Sequence, residues 1–244
     1  MKALGIVGSY RKGGINDTAV EAILQGVASA GAATEKIFLA DQTIRFCNNC
    51  RNCMQEPGTD PGPCVLEDDV PGLTHKCLQS DILILSSPVN FGSMTAVSKA
   101  FLERLACLAY WPWGTPAPQF RKIPGKRLAV LVTSSAAPAL ASRLGGFHSL
   151  ADLGKIAETL NAEVVAKLHY GLIALKHETS LSQSQRAAAI RLGSCLADLS
   201  KEGWVGKLKL RAIRAVAQSD LPQLPYVGPA FDRIASIPFR RTGR

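Results

Sequence analysis

The chain has 244 residues, 47% hydrophobic and 19% charged, which suits one α/β domain with an extension. No apolar run approaches the ~18–20 residues of a membrane-spanning helix, and Met1–Val7 is too short for a signal peptide, so the chain reads as cytoplasmic. The formal net charge is +9, but residues 201–244 hold nine Lys/Arg against three Asp/Glu, which leaves the body near neutral and the tail basic.

Lys2–Val7 is an apolar run of strand length, and Asn16–Ala30 sets Ala19, Val20, Ile23, Leu24 and Val27 at helical spacing. Glu35–Leu39 is a second strand candidate. Leu73–Gln79 is a short helix that Asp69 can cap, with Pro71 tolerated in its first turn. Asp81–Ser86 contains the unbroken run Ile82 to Leu85, the mark of a buried central strand. Thr95–Leu108 is helical, and Arg127–Val132 is another buried strand. Leu150–Leu160 is a helix followed by Asn161, which suits a left-handed C-terminal position. Val164–Tyr170 is more polar and belongs at a sheet edge, and Ser182–Leu199 closes the body as a helix. Residues 111–124, with Pro112, Pro116, Pro118 and Pro124, are expected to be irregular.

This alternation predicts a parallel sheet with helices on both faces and right-handed crossovers. Five strands in this rhythm suggest an α/β flavodoxin-like sheet of order 2-1-3-4-5, whose ligands bind beyond the carboxyl ends of the strands. The expected organisation is one domain over residues 1–200, with a cysteine-rich insertion at 47–64, and a basic extension over 201–244.

The functional residues should therefore sit in the loops after strands one, three and four. The first loop runs Gly8-Ser9-Tyr10-Arg11-Lys12-Gly13-Gly14 into a helix start. Glycines free its amides, the helix adds its N-terminal dipole, Ser9, Asn16 and Thr18 offer side-chain donors, and Arg11 and Lys12 add charge. That is chemistry for a phosphate. The loop lacks the Gly-Lys-Ser/Thr ending of a nucleotide-hydrolysing loop and the Gly-x-Gly-x-x-Gly spacing of dinucleotide folds. After strand three, Ser87-Pro88-Val89-Asn90-Phe91-Gly92 brackets an aromatic residue with proline and glycine, so amides can meet the edge of a flat ring while Val89 or Phe91 packs on its face. After strand four, Thr133-Ser134-Ser135-Ala136 is small and polar, suited to close backbone approach.

Cys47, Cys50 and Cys53 stand in a Cys-x-x-Cys-x-x-Cys run, with Cys64 following. Such spacing lets thiolates converge, and four of them satisfy a 4Fe–4S cluster or one tetrahedral zinc; free or redox-active thiols are the alternative. Cys77, Cys107 and Cys195 read as buried apolar residues. His75, His148, His169 and His177 are scattered and read as structural or surface residues. Tyr110, Trp111 and Trp113 make an aromatic loop that is either a lid, a subunit contact, or a loop folded on its own domain. In Trp204–Val216 cations alternate with apolar residues; the favoured reading is a solvated helix against the body, ahead of a membrane-surface contact or an acidic partner. No base-stacking motif supports nucleic acid.

Together, the glycine-rich first loop, the cysteine run before Glu67-Asp68-Asp69, and Ser87-Pro88-Val89-Asn90-Phe91-Gly92 resemble the NADPH-dependent FMN reductase family over roughly residues 1–200, and its iron–sulfur flavoprotein branch most. The resemblance implies that Ser9, Arg11, Lys12, Asn16 and Thr18 hold the FMN phosphate. It implies that Pro88, Val89, Asn90, Phe91 and Gly92 line the isoalloxazine, with Thr133, Ser134 and Ser135 at its pyrimidine side. Many relatives have Pro at the place of Tyr10, Tyr at that of Asn90, and a shorter gap before the last cysteine. They also read Gly-Asn-Thr where this chain has Gly14-Ile15-Asn16-Asp17-Thr18, so either Asn16 or Asp17 faces the phosphate, and an aspartate would repel it. The implied activity is hydride transfer from NAD(P)H to FMN and onward electron transfer to a small-molecule or protein acceptor, by a homodimer or homotetramer. Two rivals stand beside it: an electron carrier or scaffold subunit docked through the basic tail, and a zinc-stabilised interaction module.

Overall fold

The structure, a computed structural model, describes residues 1–137, 147–173 and 180–202. Within it Ile82, Leu83, Ile84 and Leu85 are all sealed from solvent. Successive strand residues face opposite ways, so Ile82 and Ile84 join one core cluster and Leu83 and Leu85 the other. Each such side chain contributes about 1.5–3 kcal/mol on burial. A strand this apolar is stable only where both faces are covered.

The strands are β1 (Lys2–Val7), β2 (Ala33–Phe38), β3 (Ile82–Pro88), β4 (Ala109–Tyr110), β5 (Gln119–Phe120), β6 (Arg127–Ser134) and β7 (Ala162–Tyr170). The helices are α1 (Ile15–Ser29), α2 (Val70–Leu78), α3 (Ala96–Arg104), α4 (Ser149–Thr159) and α5 (Gln183–Glu202). The main sheet is parallel with order β2-β1-β3-β6-β7, which is 2-1-3-4-5 when only its own strands are counted. This is the flavodoxin-like architecture, with its switch point between β1 and β3. Val20, Ile23 and Val27 of α1 and Leu192 and Leu196 of α5 cover one face. Leu73 of α2, Phe101 of α3 and Leu153 and Ile156 of α4 cover the other.

The packing of α1 on α5 depends on two glycines. A Cβ at Gly26 would lie 2.0 Å from the Ile190 carbonyl oxygen, and one at Gly193 would lie 2.0 Å from that of Ile23. The helices therefore touch backbone to backbone, closer than any larger residue allows.

Several local expectations are corrected. α3 ends at Arg104 and tightens into a 3₁₀ turn at Leu105–Leu108, which sets both leucines into the core. The proline-rich segment is not wholly irregular, because β5 pairs with β4 in a two-residue antiparallel ribbon. Asp69 occupies the N-cap position of α2 but makes no side-chain cap bond; its carboxylate accepts from the Thr43 amide at 2.7 Å instead. The neighbouring Asp68 accepts from the Val70 amide at 3.1 Å. Asn161 adopts the left-handed conformation expected of it (φ 53°), and β7 is an edge strand. Among the described residues no helix is long and apolar enough to cross a membrane. The basic tail from residue 203 onward, and His177, lie outside the described residues.

Candidate functional site

Three loops leave the carboxyl ends of β1, β3 and β6 and are laced into one rim. The Gly8 amide donates to Ser86 O at 2.7 Å, the Val89 amide to Ser134 O at 2.7 Å, and the Ser135 amide to Tyr170 O at 2.9 Å. Thr95, fully buried at the N-cap of α3, donates through Oγ1 to Gly8 O at 2.6 Å and receives the Ser98 amide. It thereby ties the first loop to the second. A threonine before a helix signals a cap; the bond to Gly8 has no sequence signature.

At the first loop, Gly14 is the N-cap of α1 and no side chain caps the helix. The Thr18 amide is the first to donate back, to Gly14 O at 2.9 Å. The preceding amides of the first turn have no intrahelical acceptor and carry the positive end of the helix dipole. Gly13 has φ +75° and open space where a Cβ would stand, so the loop is backbone on that side. Ser9 is buried and its Oγ accepts from the Arg11 amide at 3.1 Å. Thr18 turns its hydroxyl back onto Gly14 O at 3.0 Å. Arg11 and Lys12 are exposed, and Lys12 pairs with Asp41 at 2.7 Å.

Asn16 and Asp17 part company here. Asp17 accepts from the Gly13 amide at 2.6 Å and from Lys36 Nζ at 2.7 Å, which directs its carboxylate toward β2. Burial works against the Lys36 charge, but Asp17 and Glu21 outweigh it and raise the Lys36 pKa. Asn16 points the other way, donating from Nδ2 to Ser134 Oγ at 2.7 Å, while its buried Oδ1 has no partner.

In the second loop, Phe91 and Gly92 both have positive φ (48° and 81°), and Phe91 is fully exposed. Positive φ is uncommon for an aromatic residue and holds this ring out into solvent. Pro88, Val89 and Gly92 are half-buried and Asn90 is exposed. The loop is anchored by an Asn90–Ser93 backbone pair, by the His148 amide donating to Gly92 O at 2.6 Å, and by Ser93 Oγ donating to Asp152 at 2.6 Å. In the third loop the hydroxyls are turned inward. Thr133 donates to Ser87 O at 2.8 Å, Ser134 receives Asn16, and Ser135 donates to Ala137 O at 2.9 Å with His169 Nε2 2.8 Å away. The backbone, rather than these three side chains, is what the third loop presents to the rim.

The cysteine insertion forms a lobe braced at its base. The Asp69 amide donates to Thr43 O at 3.1 Å, and the Arg45 amide donates to Asp68 at 2.9 Å. Arg104 of α3 pairs with Asp68 through its two terminal nitrogens, Nη1 and Nη2. Burial of Asp68 acts to raise its pKa, but Arg104 and the amides of Arg45 and Val70 prevail and hold it below the usual carboxylate range. Arg51 lies against both Trp111 and Trp113, its guanidinium carbon 3.9 Å and 4.3 Å from the ring centres, and donates to Trp111 O at 2.5 Å. The aromatic loop thus folds onto the cysteine lobe. Cys47, Cys50, Cys53 and Cys64 are all half-buried free thiols. Cys53 has its pKa raised by burial first and then by Cys64, Cys47 and Cys50. Among the described residues no three His, Cys, Asp or Glu side chains are gathered into a metal-binding group. Cys77 and Cys107 are buried, and burial pushes both thiols up to about 12.

The sequence pattern of the NADPH-dependent FMN reductases matches residues 1–172. The chain belongs to that family. An iron–sulfur flavoprotein of Archaeoglobus fulgidus is 34% identical over 112 residues, covering 46% of this chain and 49% of that protein. One from Methanocaldococcus jannaschii is 38% identical over 104 residues, covering 43% of this chain and 51% of that one. The chain thus spans about half the length of the curated relatives it matches. The fold resembles a flavone reductase of known structure with a TM-score of 0.58 at 19% identity, over 83% of this chain and 64% of the other.

The residues present fit the cofactor of an FMN reductase. An uncapped helix start is a ready site for a phosphate, and the buried, unpaired Asn16 Oδ1 beside the rim is an acceptor suited to an O–H or N–H of the cofactor, not to its phosphate. The four cysteines share one braced insertion, but among the described residues they are not gathered into a metal-binding set.

Proposed function

We propose that this FMN reductase family member is an oxidoreductase that takes hydride from NAD(P)H through FMN and passes electrons to a small-molecule or protein acceptor. The observation that carries the reading is the rim: a helix start without a cap, next to two loops whose backbones face the same edge of the sheet. Bound there, FMN would supply two-electron uptake and one-electron release. The α1 amides, Ser9, Arg11, Lys12 and Thr18 would hold its phosphate, and Asn16, whose Nδ2 is engaged with Ser134, would accept from a cofactor O–H or N–H through its remaining Oδ1. The segment Pro88–Gly92 would orient the ring edge. The backbone at Thr133, Ser134 and Ser135 would balance charge that develops on the ring.

The reading extends to the lobe. Cys47, Cys50, Cys53 and Cys64 would ligate a 4Fe–4S cluster, as the names of the curated relatives suggest. Support comes also from α3, which starts at the second loop with Thr95 and ends at the lobe with Arg104. Nine residues of helix make this connection only about 13 Å long. Residues 1–200 would form the flavin domain and 201–244 an extension to it. A homodimer or homotetramer in the cytoplasm, where reduced thiols persist, completes the reading.

The test is anaerobic purification followed by a visible spectrum, FMN, iron and sulfide analysis, and NAD(P)H oxidation with a quinone acceptor. A yellow-brown protein that turns over supports the reading. A colourless protein that refuses FMN overturns it, and reduction by a protein donor alone makes the chain a carrier.

A further inference from the structure

The first loop hangs from the start of α3. Gly8 is pressed so close to that helix that a Cβ there would lie 1.9 Å from Ser98 Oγ and 2.9 Å from Ser86 O. Its amide is held by Ser86 O and its carbonyl by the hydroxyl of the fully buried Thr95. Thr95 has a single hydroxyl proton. At 2.6 Å that proton is committed to Gly8 O, so Ser98 Oγ, 2.8 Å away, donates to Thr95. The Gly8–Ser9 peptide is planar, and fixing its carbonyl also fixes the direction of the Ser9 N–H. Two residues on, the Tyr10 hydroxyl accepts from the Val97 amide at 3.2 Å while its ring stays exposed. Thr95 also closes the base of the second loop. Its own amide donates to Ser87 Oγ at 3.0 Å, with residues 88–94 between them.

We infer that Thr95 and Tyr10 are positioning residues that hold the amides of the first loop at a set distance from the second loop, and that the protein selects phosphorylated over unphosphorylated flavin through this spacing. This rests on the proposal that FMN lies across these loops. A phosphate and a ring joined by one linker are seated together only when their two sites are the right distance apart. Neither side chain needs to touch the phosphate. A buried hydroxyl that only supported the fold would change stability, and the affinity for every flavin alike. One that sets the spacing changes the share of the affinity that the phosphate contributes.

The experiment uses the full chain as wild type, Thr95→Val, Thr95→Ser and Tyr10→Phe. Dissociation constants for FMN and for riboflavin are read from flavin fluorescence on titration, and urea midpoints report stability. Wild type should bind FMN more tightly than riboflavin. Valine keeps the shape of threonine but leaves Gly8 O without this donor. Thr95→Val should therefore shrink the preference for FMN about tenfold, the scale of one hydrogen bond to a charged group, while riboflavin affinity holds. Serine keeps the hydroxyl and should keep the preference. Tyr10→Phe removes only the exposed tie and should shrink the preference about threefold. A preference unchanged in Thr95→Val, whatever its stability, overturns the inference and leaves the FMN reading standing. So does a serine variant that behaves like the valine one, or a wild type that binds both flavins equally. If Thr95→Val does not fold, Tyr10→Phe decides: a reduced preference upholds the inference and an unchanged one overturns it. A wild type that takes up neither flavin overturns the FMN reading, and the inference with it.

Discussion

Asn16 and Ser134 are 118 positions apart in the chain, and the Asn16 amide donates to the Ser134 hydroxyl across 2.7 Å. Both are buried, so this contact joins the first turn of α1 to the end of β6 beneath the rim. It holds two of the three loops in fixed relation, with the Asn16 carbonyl oxygen left over.

Replacing Asn16 with alanine removes this link. A lost buried hydrogen bond costs about 1 kcal/mol of stability. With the Asn16 Oδ1 also facing the cofactor, FMN affinity should fall about tenfold, equivalent to ~1.4 kcal/mol. Quenching of FMN fluorescence on titration measures the second effect, and urea unfolding the first. Stability lost with affinity kept would reduce the pair to a cross-link of the fold.

The two cations of the first loop should not contribute equally. Lys12 is engaged with Asp41 and lies 5.3 Å from the centre of the Phe38 ring. Arg11→Ala should therefore weaken FMN binding by about tenfold, since charge-assisted bonds to phosphate are the stronger kind. Lys12→Ala should have the smaller effect. Isothermal titration of each variant separates them; equal and negligible losses would move the phosphate elsewhere.

Gly26→Ala and Gly193→Ala each force a methyl group against backbone. Overpacking of this kind costs about 1–3 kcal/mol. Urea midpoints should fall while FMN affinity holds, because the α1–α5 contact lies away from the rim. A neutral Gly193→Ala would mean that α5 sits farther from α1 than described.

Acid should unfold the protein through Asp68 and Asp152. For Asp152, burial acts to raise the pKa, but Ser93 and Lys155 outweigh it and the result is lowered, as for Asp68. A carboxylate with a folded pKa below its unfolded value of about 3.9 adds stability that is fully present above that value. The stability is lost as pH falls through the folded pKa. Urea midpoints should thus decline from about pH 4 downward, and Asp68→Asn should make that decline shallower. Leaving Arg104 without its partner in Asp68→Ala should cost about 3–5 kcal/mol.

The sheet was legible because its signal is local. Ile82 to Leu85 has no polar residue to place outside, and the strand-to-helix rhythm admits few topologies. The rim loops were legible for the same reason, since they follow the strands directly. The roles of their side chains were not. Asn16 and Asp17 are adjacent polar residues, and only Lys36 and Ser134, distant in the chain, send them opposite ways. Thr133, Ser134 and Ser135 read as open hydroxyls until Ser87, Asn16 and His169 arrive to occupy them. Arg104 sits mid-pattern in a helix and gives no hint of burial; its partner Asp68 stands out only as part of an acidic run.

The chain contains three tryptophans, and two of them, Trp111 and Trp113, rest against Arg51 of the cysteine insertion. A rearrangement that moves Arg51, next to Cys50 in the chain, would disturb that stacking. The molecule therefore carries its own optical probe, and changes in indole emission would follow events at the thiols without a label.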